Sequence, residues 1–332
     1  MIDFKKIVIE KARSNPKRLV LPEGNDIRVL KAAELVRKEK IASEIYVLGD
    51  PDELLRLAKT ESVDLKGINL INHRKEQNFS DFVQTLYNMR KEKGMTLEEA
   101  EKLISDEVYY GAMMIKKGFV DAMVSGSMSP TAKTVRASLI IVRPKEGIKT
   151  VSGSFVMIVP DCKYGNDGGF IYADCGVVPE PTSEQLADIA VASADTCKKL
   201  LGVEPVLALL SFSTLGSADS PSIQKVREAV EILKSRKVSF LFDGEMQFDA
   251  AVDKSVAKTK APSSKVAGNA NVMIFPDLNS GNIAYKITQR LAKAEAYGPL
   301  LQGLSKPIND LSRGATPEDI LIVSAITILQ AE

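Results

Sequence analysis

Seven short apolar runs recur along this 332-residue chain, at Leu19–Pro22, Ile45–Leu48, Ala122–Ser125, Phe155–Pro160, Val206–Phe212, Ser239–Phe242 and Val272–Pro276. Each is four to seven residues long, strand length rather than helix length, and longer stretches with helical periodicity separate them. Helix-start signals fall in those stretches at Asp50-Pro51-Asp52-Glu53, Thr96-Leu97-Glu98-Glu99 and Thr182-Ser183-Glu184-Gln185, and Gly202 is placed to close the last. Strands alternating with helices predict βαβ crossovers, hence an α/β fold whose parallel sheet is covered on both faces.

Several of the runs lead straight into small polar turns: Ser125-Gly126-Ser127-Met128-Ser129-Pro130, Ser213 to Ser217, Asp243-Gly244-Glu245 and Asp277 to Asn282. At the carboxyl ends of parallel strands such turns aim backbone N–H groups at an anion, which puts the expected active site there. The plainer reading is that strand-to-helix turns are small and polar for steric reasons alone.

At this length one core usually splits, so two domains or one α/β unit with a lobe are expected. No flexible linker or repeat marks a boundary; a charged segment, Arg143 to Lys149, precedes a fresh strand, and Gly298-Pro299 is read as breaking a long helix.

Composition removes several function classes. Lys+Arg 44 against Asp+Glu 43 leaves a net charge of +1, without the basic excess of a nucleic-acid binder. With 45% hydrophobic and 26% charged residues, and no apolar run near the ~18 residues of a membrane span, no membrane partner is expected. Met1 to Arg13 lacks the apolar core of a secretory signal, which reads as a cytoplasmic address. The three cysteines, Cys162, Cys175 and Cys197, have no metal or disulfide spacing and read as buried small hydrophobes. The single histidine, His73, is read as a surface loop residue, so neither a Ser-His-Asp triad nor a multi-histidine metal site is expected. Both familiar nucleotide signatures, the P-loop and the Gly-x-Gly-x-x-Gly turn, are absent. Asp161, Asp167 and Asp174 flank what reads as a solvated turn rather than a magnesium site.

The densest polar cluster is Lys306-Pro307-Ile308-Asn309-Asp310-Leu311-Ser312-Arg313-Gly314-Ala315-Thr316-Pro317-Glu318-Asp319, followed by an apolar helix. By spacing alone Asp319 is a capping-box acid, three residues after Thr316, worth about 0.5 to 1 kcal/mol. The run Lys-Pro-Ile-Asn-Asp-Leu-Ser-Arg-Gly, however, resembles the signature of phosphotransacetylases. The resemblance extends to Leu21-Pro22-Glu23 with Asp26-Ile27-Arg28, to Val124-Ser125-Gly126 leading to Arg136, and to Val159-Pro160-Asp161-Cys162. Asp243 to Ala251 and Phe275 to Lys286 complete it.

The resemblance implies a two-domain fold like that of the isocitrate and isopropylmalate dehydrogenases, with an active cleft between domains and a homodimeric assembly. Residues 1–146 with 300–332 would form one domain and 147–299 the other. It implies reversible acetyl transfer, acetyl-CoA + phosphate = CoA + acetyl phosphate, with coenzyme A as substrate and no bound cofactor or metal. It also implies Asp319 as base, Ser312 as orienting or intermediate-stabilising hydroxyl, and Arg313 as the clamp on the acyl phosphate. Arg136 and Arg90 are implied as further phosphate ligands, Arg90 toward coenzyme A, with Ser127, Thr131 and Arg28 completing the substrate contacts. Arginine forks suit phosphate oxygens. A thiol near 8.5 and an Asp near 3.9 differ by about 4.6 units, so full transfer before attack costs about 6 kcal/mol. A desolvated Asp319, a stabilised thiolate, or transfer during carbon–sulfur bond formation each answers that cost. A covalent Cys162 intermediate is the rival chemistry. Rival functions are phosphate butyryltransferase and a non-catalytic acetyl-CoA-binding module, since similar domains are appended to some malic enzymes.

Overall fold

The computed structural model describes residues 3–331; Met1, Ile2 and Glu332, at the ends of the first predicted domain and of the Met1–Arg13 reading, lie outside the described residues. The chain forms two compact units, one of residues 5–143 with 304–331, the other of residues 3–4 with 144–303. The described strands are β1 (Lys17–Leu21), β2 (Ala42–Leu48), β3 (Asn69–Ile71), β4 (Ala122–Ser125), β5 (Ser152–Ile158), β6 (Gly169–Ala173), β7 (Val206–Leu210), β8 (Leu241–Met246), β9 (Val272–Ile274), β10 (Glu295–Gln302) and β11 (Ile308–Asp310).

The first unit holds a five-stranded sheet in the order β11-β4-β1-β2-β3, parallel throughout. Leu19, Val20 and Leu21 of β1 and all of β4 are buried, as a sheet covered on both faces requires. Burying each such aliphatic side chain stabilises by about 1.5–3 kcal/mol. The chain steps from β1 out to β2 and β3, then returns to lay β4 on the other side of β1. Such a reversal, here at the carboxyl ends of β1 and β4, is the place where open α/β sheets take ligands.

In the second unit the order is β10-β5-β6-β9-β7-β8. Its β6, β9, β7 and β8 are parallel, but β5 pairs antiparallel with both β6 and β10, so this sheet is mixed where the alternation of elements predicts parallel strands alone. The turn between Asp161 and Gly168 joins β5 to β6. Gly298-Pro299 breaks no helix: the preceding helix ends at Leu291, and the pair lies inside β10, where the register to β5 shifts.

The start signals form as predicted. Asp50 caps Pro51–Thr60, capping boxes open Leu97–Ile104 at Thr96 and Ser183–Thr196 at Thr182, and Gly202, at φ 72°, ends the latter after a wider turn. The strands that periodicity misses are β3, β6, β10 and β11. β11 has three residues, two of them polar; Asn309 is nonetheless fully buried because its amide donates to the Thr327 hydroxyl at 2.8 Å. His73 is not a surface residue: it is buried against the Tyr110 ring, centroids 5.4 Å apart, with Nε2 3.0 Å from the Ser105 carbonyl.

Candidate active site

Three loops at the carboxyl edge of the parallel sheet carry most of the expected residues. After β1 comes Glu23, after β4 the turn Ser125–Pro130 and the helix Thr131–Ala137, and after β11 the segment Leu311–Thr316. Register brings two of them together, since Ser125 is the parallel partner of Asp310.

The turn after β4 does aim its amides at an anion, but that anion is the protein's own. One Glu23 oxygen accepts from the Gly126 and Ser127 N–H groups at 2.6 and 2.8 Å and from the Ser127 hydroxyl at 3.0 Å. The other accepts from Met128 N at 3.2 Å and Ser129 N at 2.7 Å. Gly126 permits this winding: at φ 108° it sits in the left-handed region, and a Cβ there would lie 2.4 Å from Asp310 Oδ1 and 2.7 Å from Leu311 N.

Arg28 brackets all three loops. Nη1 donates to the Arg313 and Ala315 carbonyls at 2.6 and 3.0 Å, Nη2 to the Ser127 carbonyl at 2.9 Å and to Asp26 at 2.6 Å, and Nε to Asp26. Every face of its guanidinium is thereby committed inside the protein. Burial pushes the Asp26 carboxyl up, but the Arg28 hydrogen bonds outweigh it and hold Asp26 below its usual value.

Ser312 and Asp319 flank one turn. Ser312 is exposed, and its Oγ accepts from Gly314 N at 3.3 Å. Asp319 lies in the first turn of Pro317–Gln330 and closes its capping box: the Thr316 hydroxyl accepts from Asp319 N at 3.1 Å. Asp319 Oδ2 takes the Thr316 N–H and hydroxyl, both at 2.9 Å, and Oδ1 has no hydrogen bond among the described residues. The capping reading of this residue is therefore correct as structure, and it leaves one carboxylate oxygen unengaged.

Three cations expected at the site have no carboxylate partner among the described residues. Arg313 and Arg136 are exposed; Arg90, at the end of Phe79–Arg90, is half-buried with Nε buried and unpaired. Among the described residues, Arg90 and Arg136 make no side-chain hydrogen bond to the network that joins the three loops. Ser127 is buried on Glu23, and Thr131 donates its hydroxyl to Asp310 Oδ2 at 2.5 Å. Cys162 belongs to the second unit, half-buried on the β5–β6 turn. No group of three metal-ligating side chains occurs among the described residues.

Glu23, Asp26 and Asp310 lie inside the motifs, and the sequence points to no role for them. Asp310 is buried, and desolvation carries its carboxyl up to about 6, opposed by the hydroxyls of Thr131 and Thr134 and reinforced by Glu23. The sequence offers no signal for this, since Asp310 is the last residue of β11, a strand that periodicity misses.

Residues 3–328 match the family model described as phosphate acetyl/butaryl transferase. The phosphate acetyltransferase of Thermoanaerobacterium thermosaccharolyticum is 50% identical over 325 residues, with 98% of each chain covered. A phosphotransacetylase from Streptococcus pyogenes superposes with a TM-score of 0.94 at 42% identity, covering 100% of this chain and 99% of that one. A 4-hydroxythreonine-4-phosphate dehydrogenase from Klebsiella pneumoniae, at 12% identity and TM-score 0.55 over 95% and 100% of the two chains, shares the fold alone.

Proposed function

The chain belongs to the phosphate acetyl/butaryl transferase family, and from that premise we propose that Asp319, Ser312 and Arg313 carry its chemistry. The enzyme is a phosphate acetyltransferase, interconverting acetyl-CoA and phosphate with coenzyme A and acetyl phosphate. Acetyl rather than butyryl is the acyl group, in line with the relatives at 48% and 50% identity.

The observation that carries the site assignment is an unneutralised arginine, Arg313, and a half-engaged carboxylate, Asp319, on one segment of the chain. Arg313 offers its fork to the acyl phosphate and neutralises the phosphate as it leaves; Arg136 adds a second cation, and Arg90 takes a coenzyme A phosphate. Asp319 Oδ1 receives the thiol proton while Oδ2 stays fixed by Thr316. The proton moves as the sulfur attacks the acyl carbon. Ser312 orients the thiol and steadies the tetrahedral oxyanion. Thr131 lines the acyl phosphate position, Ser127 serves by closing the turn on Glu23, and Arg28 by holding that turn against the Ser312–Ala315 segment. This direct route uses no acyl-enzyme, so Cys162 is not its nucleophile.

Following thioester absorbance with coenzyme A and acetyl, propionyl or butyryl phosphate tests the reading. Rapid formation with acetyl preferred supports it; no thioester with any donor overturns it.

The assembly we assign is a homodimer. Ile283, Ile287 and Leu291 are 57%, 52% and 81% exposed at four-residue spacing on Leu278–Leu291, an apolar stripe suited to its own copy across a two-fold axis. A cytoplasmic location follows from the use of coenzyme A and from three unpaired cysteines; no described helix is long and apolar enough to cross a membrane.

A further inference from the structure

Asp310 is a buried acid, 2% exposed, with one hydrogen-bonded oxygen. Oδ2 takes the Thr131 hydroxyl at 2.5 Å, and Oδ1 is buried under Gly126 with no partner. A hydroxyl has one proton to give. While Asp310 is ionised, that proton is spent on Oδ2, and Thr131 presents only lone pairs to whatever lies on its exposed side. Lone pairs repel phosphate oxygens.

We propose that Asp310 is a positioning residue that sets the direction of the Thr131 hydroxyl, so that binding of the acyl phosphate beside Thr131 draws one proton from solvent onto Asp310. Protonated, Asp310 donates to Thr131 Oγ1 across the same short contact, and the Thr131 proton turns to a phosphate oxygen. No covalent bond other than the carboxyl O–H is made. The inference rests on the assignment of Thr131 as an acyl phosphate contact.

The surroundings favour this exchange. Glu23 is the charged group facing Asp310, and its like charge opposes ionisation. The neighbouring β4 strand contributes Ser125, paired with the Thr134 hydroxyl at 2.8 Å; Thr134 and the Leu311 amide favour the ionised form, but burial outweighs them. On the Thr131–Ala137 helix, Lys133 is engaged by Asp106 at 2.7 Å, and Arg136 is exposed. Arg28 and Asp26 neutralise each other at 2.6 Å. The helix Pro317–Gln330, packed on the sheet, adds the uncharged buried Ser324 and Thr327 and bears its acids, Glu318 and Asp319, in its exposed first turn. No cation is paired with Asp310 among the described residues, so an arriving phosphate dianion acts on a group already raised to about 6 by burial. At pH 7 such a carboxyl is about nine-tenths ionised, and its protonation in the complex takes up close to one proton.

The test titrates the enzyme with acetyl phosphate, without coenzyme A, by calorimetry at pH 7.5 in buffers of different ionisation enthalpy. Acetyl phosphate KM is followed in parallel from pH 6 to 8.5. Wild type is expected to take up close to one proton and to show KM rising up to about tenfold per pH unit above pH 6.5. Asp310→Asn, whose amide donates to Thr131 permanently, should take up none and show a flat KM. Thr131→Val should raise KM several-fold and abolish uptake, while Thr131→Ser retains both.

An unchanged acetyl phosphate KM in Thr131→Val means that Thr131 does not touch the phosphate, and the underlying assignment fails. A raised KM in Thr131→Val together with wild-type proton uptake overturns the inference alone, even if Asp310→Asn does not fold. Asp310→Asn with a wild-type pH slope overturns it equally.

Discussion

The Asp319 carboxylate closes a capping box through Oδ2 and leaves Oδ1 unengaged for the base role proposed for it. Asp319→Ala should lower kcat by at least about 10²-fold, the usual range for loss of a general base, with coenzyme A KM little changed. Its capping loss should appear separately, as about 1 kcal/mol in urea unfolding; near-normal kcat would remove the base assignment. Asp310 yields a stability prediction with a definite sign. Its folded value, about 6, lies above that of the unfolded chain, so the folded state holds the proton more tightly. This group therefore lowers stability as pH rises from about 4 to about 6, by up to roughly 3 kcal/mol, and the loss persists above that window. Asp310→Asn should flatten that portion of the stability–pH curve, measured by urea unfolding at pH 4, 5, 6 and 8. An unaltered curve would mean that Asp310 ionises as readily as in the unfolded chain.

At the scale of elements, the turn after β4 is shaped by Glu23 rather than by a bound ligand. Glu23→Gln keeps the shape but places an NH₂ group among N–H donors, so some of the present bonds are lost. Hydrogen bonds to a charged group are worth about 1.5–3 kcal/mol each. Faster amide exchange at residues 126–129, with acetyl phosphate KM raised more than coenzyme A KM, is the expected result; unchanged exchange would show the turn to be held by other contacts. Helix starts were legible in the sequence because a capping box is a local object, complete within four residues. β11 was not: its polar residues are tolerated only because Thr327 and Thr131, far along or earlier in the chain, complete them.

For the whole molecule, the exposed stripe Ile283, Ile287 and Leu291 predicts that Leu291→Glu weakens the proposed dimer, by placing a charge where the stripe would meet its own copy. Sedimentation should show a shift toward monomer at micromolar concentration, with each unit folded; a wild-type profile would move the interface elsewhere. The sequence reading set domain boundaries at 146 and 300, and the compact units part at 143–144 and 303–304. The second boundary falls later than 300 because Gly298-Pro299 lies within β10 rather than at a break. What the sequence by itself determined is the α/β class, the helix starts and the family, because periodicity, capping and motif are properties of neighbouring residues. The tertiary structure alone decided the β4–β1 reversal, the mixed sheet and the burial of His73. It also decided that Glu23 fills the expected anion nest and that Asp310 meets Thr131, 179 residues away. Each of these depends on desolvation and on partners brought together from distant strands, and a carboxylate's environment is not written in its neighbours.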